Sequence, residues 1–135
     1  MAPRMVKASY SQRSDGEEIV HHEKTLRLHR EACEIIDNYP WETELKLGEE
    51  TGEGGGFYFL LGDENGKHAS YQFVPMDIDK GWLMLEVVLK KGTLGIFGKQ
   101  TATVDFDAVT TFEAKDKIKD LFNHTVESLY AKYKG

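Results

Sequence analysis

The side chains able to do chemistry are few, and each can be tested by spacing. His22, His29 and Cys33 fall on one face of an expected helix, and His29 with Cys33 has the i,i+4 separation that can grip one metal ion. That face is also the apolar arc that must pack, so the three read as core-edge residues and no metal site is expected. His21-His22-Glu23 starts like HExxH, but Leu26 stands where the second histidine belongs. Asp77/Asp79 and Asp105/Asp107 each point to one side of an extended segment. General acid–base work would require one of each pair to be buried with a raised pKa, whereas polar and loop neighbours predict solvated carboxylates. Ser70 and Ser128 sit in no strand–elbow–helix motif, and His68 shares only a strand face with Ser70. No catalytic residue and no cofactor is expected.

Residues 48–57, GEETGEGGGF, raise the question of a phosphate cradle. A P-loop needs a lysine and a hydroxyl after its glycines, where this chain has Phe57 and Tyr58. A dinucleotide fingerprint needs a last glycine where Phe57 stands, and a helix rather than a strand after it. Glu49, Glu50 and Glu53 would repel phosphate besides. A slack connection between strands is the expectation.

The formal charge of the 135 residues is −6. Residues 41–66 hold seven acids (Glu42, Glu44, Glu49, Glu50, Glu53, Asp63, Glu64) against Lys46, while the flanking segments nearly balance. Such a segment repels nucleic acid, whose binding depends on Lys and Arg displacing counterions, and attracts a basic protein surface. The aromatic strands FYF and YQF lack the basic groove of a base-stacking platform. One cysteine excludes an internal disulfide, and no apolar run approaches the ~18 residues that cross a bilayer. A cytoplasmic protein is expected, without membrane or nucleic-acid contact.

The elements follow from periodicity. Residues 1–13 lack a pattern and read as a disordered N-terminal segment; residues 14–135 read as one α+β domain. Ser14 and Glu17 suggest a capping box opening a helix to about Asn38, stopped by Pro40. WETELKLG alternates as a half-buried strand. Asn65-Gly66 predicts a two-residue hairpin that places Leu60 opposite Tyr71 and Tyr58 opposite Phe73. WLMLEVVLKK and TATVDFD read as two further strands, joined by a glycine-punctuated connection tipped with Ile96 and Phe97. Thr110 and Glu113 cap a closing helix with a seam at Ile118, Leu121, Phe122, Val126, Leu129 and Tyr133, which Asn123-His124-Thr125 can break. The predicted fold is a five-stranded antiparallel meander sheet packed by an N-terminal and a C-terminal helix, α-β-β-β-β-β-α.

The stretch WETELKLGEETGEGGGFYFLLGDENGKHASYQFVP and the closing ESLYAKYK resemble, at the level of class, the small acidic immunity proteins with which bacteria neutralise toxins. The resemblance implies a non-catalytic inhibitor that occludes the active site of a basic protein partner such as a toxin domain. Its expected binding residues are Trp41, Glu42, Glu44, Glu49, Glu50, Glu53, Phe57, Tyr58, Asp63 and Glu64, with charge speeding encounter and buried aromatics anchoring it. A monomer or a homodimer through an unpaired edge strand is expected. The competing expectation is a ligand or enzymatic pocket walled by Tyr58, Tyr71, Phe73, His68 and Trp82.

Overall fold

A computed structural model describes residues 5–13, 19–51, 56–90 and 100–134. The elements are β1 (Val6–Arg13), β2 (Ile19–Leu26), α1 (His29–Asp37), α2 (Trp41–Thr51), β3 (Phe57–Gly62), β4 (His68–Asp77), β5 (Lys80–Lys90), β6 (Gln100–Thr110), α3 (Thr111–Ile118), α4 (Asp120–Asn123) and α5 (Val126–Tyr133). The fold is α+β, built on an open antiparallel sheet in the order β2-β1-β3-β4-β5-β6.

The N-terminal half corrects the expectation. Residues 6–13 are not disordered: β1 pairs with β2 on one side and β3 on the other. Val6, Ala8 and Tyr10 turn to the core and alternate with Lys7, Ser9 and Ser11, a period-two pattern legible in the chain. The expected helix over 14–38 is a strand followed by a shorter helix. Ile19, Val20 and Thr25 are β-branched, and pairing along all of β1 holds this segment extended. The Ser14/Glu17 cap lies outside the described residues. The actual start of α1 is fixed by Glu31, whose Oε1 accepts the backbone N–H groups of Arg27 and Leu28, both at 2.9 Å.

WETELKLG forms the first turns of α2 rather than a strand. Trp41, Glu44, Leu45 and Gly48 occupy i, i+3, i+4 and i+7, so the short run satisfies both periods. Pro40 before the first turn and the helix-forming Glu, Leu and Lys tip the balance. The helix also serves the topology. Strands β2 and β3 are both antiparallel to β1 and therefore run parallel to each other, so the chain must cross over, and α1 with α2 carries it.

The strands β3 to β6 form the expected meander, with one change of register. Phe57 faces Phe73, Phe59 faces Tyr71 and Leu60 faces Ser70, one residue away from the two-residue hairpin expectation. Asp63 causes the difference. Its Oδ1 accepts the Asn65 N–H at 2.9 Å and its carbonyl accepts the Gly66 N–H at 2.8 Å, while the positive φ of +99° falls on Gly62 rather than on Asn65-Gly66. A slip of one residue exchanges the two faces, so Phe57, Phe59 and Leu61 join Tyr71 and Phe73 on a single side.

That side is the core. Its strand residues meet Ala32 and Ile36 of α1, Ala114 and Ile118 of α3, Leu121 of α4, and Val126 and Leu129 of α5. Each large apolar side chain buried here stabilises by about 1.5–3 kcal/mol. The cap on α3 has the expected form, with Thr110 Oγ1 accepting the Glu113 N–H at 3.1 Å and Glu113 Oε1 accepting the Thr110 N–H at 3.0 Å. The closing helix is interrupted at Lys119 and again at His124-Thr125, where Thr125 caps α5. Residues 91–99, with Ile96 and Phe97, lie outside the described residues.

Candidate functional site

The described acidic residues of 41–66 do not line one border. Glu42, Glu44, Glu49 and Glu50 ride on α2, which packs beside Val74 and Pro75 at the far end of β4. Asp63 and Glu64 occupy the β3–β4 turn, at the other end of the same hairpin. Between them runs the length of β3, roughly 20 Å at ~3.3 Å per residue. Glu53 and its neighbours Gly52, Gly54 and Gly55 lie outside the described residues.

Burial divides the expected binding residues further. Glu42, Glu49, Asp63 and Glu64 are exposed, and Tyr58 is half-buried. Phe57 is 1% exposed and belongs to the core, as does the Tyr39–Trp41–Phe73 aromatic group around it. Trp41 Nε1 donates to the Ile36 carbonyl at 2.8 Å, which joins α2 to α1. Glu44 is 4% exposed. Phe57 and Glu44 thus offer little surface to a partner, and the half-buried Trp41 is committed to packing and to the bond between α1 and α2.

The residues expected to wall a ligand pocket also separate. Tyr71 and Phe73 are buried under the helices, whereas Tyr58, His68 and Trp82 lie on the opposite face of the sheet. His68 contacts the Gly66 carbonyl and Glu86 at 3.0 and 3.3 Å; its ring does not engage Ser70.

The helix carrying His22, His29 and Cys33 does not exist as one element. His22 is on β2, stacked on Tyr10 at 5.1 Å. His29 Nε2 donates to the Lys115 carbonyl at 2.7 Å, which leaves that nitrogen no lone pair for a metal. Cys33 Sγ lies 3.4 Å from the same nitrogen, and burial pushes the thiol pKa up. The carboxylate pairs shape the backbone. Asp105 accepts the Asp107 N–H at 2.8 Å across a bulge where Asp107 has φ +59°. Asp79, at φ +64°, closes the β4–β5 turn and accepts the Thr111 hydroxyl. These four acids serve turns and bulges, a role that Asp tolerates well.

What the tertiary structure assembles instead is an apolar stretch among acids. Tyr39, Leu45, Gly48, Val74 and Pro75 line a groove of about 320 Å³ between α2 and β4, with Glu44 and Glu49 beside them. Beyond it the chain exposes Met76 at 51% and Ile78 at 60%. Thr111 is bonded to Asp79, so Phe112 and Ile78 each lie one residue from that bond; Phe112 is 77% exposed. Glu49, Asp77, Asp79 and Glu113 neighbour these apolar groups, and one base, Lys80, pairs opposite Asp77 in the same turn. Periodicity alone does not single out Met76, Ile78 and Phe112. The alternation Met-Asp-Ile-Asp in a turn was the available signal, since apolar residues in an exposed turn have nothing local to bury them.

No protein-family model, curated protein or solved structure matches this chain. Among the described residues no helix is long and apolar enough to cross a membrane.

Proposed function

We propose that the protein is a non-catalytic binding protein whose partner is a basic protein carrying apolar anchor residues, and that it acts in the cytoplasm as a monomer or homodimer. A toxin domain neutralised by occlusion of its active site is the partner type that the class resemblance suggests. The observation that carries the proposal is the apolar stretch Val74–Met76–Ile78–Phe112 set among acidic side chains and running out of the α2–β4 groove. Singly exposed apolar residues are ordinary, but several of them in one stretch whose neighbouring charges are mostly acidic, with Lys80 the exception, suit an oppositely charged, partly apolar surface. The net charge of −6 adds long-range attraction for such a partner.

A synthetic amphipathic peptide of leucine and lysine serves as the probe. It should bind saturably, more weakly at high salt, and shift the amide resonances of Leu45, Val74, Met76, Ile78 and Phe112. The double reversal Glu49→Lys/Asp77→Lys and the double substitution Ile78→Ser/Phe112→Ser should each weaken it by about tenfold or more. Ile78 and Phe112 are exposed, so the melting temperature of the serine pair should hardly move. Asp77→Lys also removes the acceptor of the Ile78 N–H, so the charge-reversed pair should melt modestly lower. Peptide binding that neither pair affects, or no binding, rules the proposal out.

A further inference from the structure

The face of the sheet turned away from the helices carries a second, unrelated feature. Its register lines up Glu23 of β2, Ser9 of β1, Tyr58 of β3 and Gln72 of β4 in one row. The next row holds His21 and Ser11, whose Nδ1 and Oγ are hydrogen-bonded at 2.8 Å, and then Gly56, whose carbonyl accepts the Ser11 N–H at 3.1 Å. Gly56 brings no side chain to its place in that row. Two strand spacings, about 10 Å, therefore separate the Ser11 side chain from that of Val74 on β4. The result is a groove of about 770 Å³ with Tyr58 beside the gap.

The chemistry of the lining narrows the ligand. No lysine or arginine is among the lining residues and Glu23 is, so a phosphate or other anion is disfavoured. An apolar ligand would strip water from Glu23, Gln72, Ser9 and His21 without replacing their hydrogen bonds. A polyol answers all of them. Hydroxyls both donate and accept, which matches a carboxylate acceptor, two serine hydroxyls, an imidazole and a carboxamide. The C–H bonds of a sugar ring carry partial positive charge and seat on the negative face of an aromatic ring. We propose that this groove binds a neutral saccharide, with one ring against Tyr58 and its hydroxyls held by Glu23, Ser9, Gln72 and the Ser11–His21 pair. The groove meets the docking stretch at Val74, which borders both, but the polar side chains that would hold the sugar lie outside that stretch.

Titration of the labelled protein with maltose, cellobiose, lactose and diacetylchitobiose, followed through its amide resonances, tests the proposal. At least one disaccharide should give saturable shifts centred on Ser9, Ser11, Tyr58 and Gln72, with a dissociation constant of about 1 mM. Tyr58→Ala and Gln72→Ala should each weaken binding by about tenfold or more. Gln72 is exposed, so its substitution reports on the site even if the loss of the Tyr58 ring disturbs folding. Four failed titrations overturn the proposal, as do shifts unchanged in Gln72→Ala. Saturable shifts with inorganic phosphate alone would do so too, since they would assign the groove to an anion.

Discussion

Thr111 is joined to Asp79 twice: its hydroxyl donates to the Asp79 carboxylate, and its N–H donates to the Asp79 carbonyl at 3.1 Å. The pair fastens the start of α3 to the β4–β5 turn and sets Phe112 next to the turn that exposes Ile78. Thr111 is 7% exposed, so its hydroxyl has little access to water as an alternative partner. Thr111→Val keeps the shape and leaves the Asp79 carboxylate without that donor. A loss of about 1–3 kcal/mol in urea denaturation is expected. Binding of the leucine–lysine peptide should change little, since the Thr111 N–H still holds Phe112 beside the turn.

The Tyr71 hydroxyl is buried beside that of Tyr133 but makes no hydrogen bond of good geometry among the described residues. Burial pushes its pKa well above the usual tyrosine value, with Tyr133 and Asp120 adding to the rise. A buried hydroxyl without a partner costs stability, so Tyr71→Phe should be neutral or stabilise by up to about 1 kcal/mol. The ring still stacks on Phe106 at 6.2 Å, so packing is retained. A melting temperature that falls by several degrees would show that the hydroxyl is satisfied after all.

Gly81 faces the aromatic core at close range. A Cβ at this position would lie 2.6 Å from Phe73 Cε1 and 2.7 Å from the Val74 carbonyl oxygen. Phe73 is fully buried and cannot swing away. Gly81→Ala should cost about 1–3 kcal/mol, read from chemical denaturation. Equal stability of the variant and the parent would mean that Phe73 moves more freely than its packing implies.

Acid should loosen the helix starts. The backbone N–H of Arg27, then that of Leu28, holds the Glu31 carboxyl below its ordinary pKa, and the Thr110 N–H does the same for Glu113. A carboxyl with a lowered folded-state pKa contributes stability that is fully present above its unfolded pKa of ~4.3 and is lost as pH falls through the folded value. Stability should therefore decline below about pH 4. Glu31→Gln and Glu113→Gln should flatten that decline, and an acid limb of unchanged steepness in both variants would refute the assignment.

The meander from Phe57 to Thr110 and the cap on α3 were legible because their signals are local. Alternation rich in β-branched and aromatic residues and bounded by turn-formers favours a strand, and Thr110 with Glu113 satisfies orphan N–H groups within four residues. The β1 and β2 segments carried only weak local signals. Val-His-His-Glu-Lys-Thr-Leu can lie on a helical arc, and the partner that makes it a strand is β1, on the other side of a connection. The same holds for Trp41–Gly48, whose eight residues suit either period until the crossover between β2 and β3 demands a helix.

By itself, the sequence determined an α+β chain with an antiparallel sheet, a capped closing helix and an excess of negative charge, because alternation, capping and composition act between near neighbours. Tertiary structure alone decided the rest. Placing β1 between β2 and β3, and slipping the β3–β4 register by one residue, chose which aromatic rings were buried. Folding 41–51 into a helix set Glu42 and Glu49 on α2, a strand's length from Asp63 and Glu64, and docking α3 on the β4–β5 turn set Phe112 near Ile78. Such outcomes depend on pairing across distance, where a one-residue shift exchanges the two faces of every strand it touches.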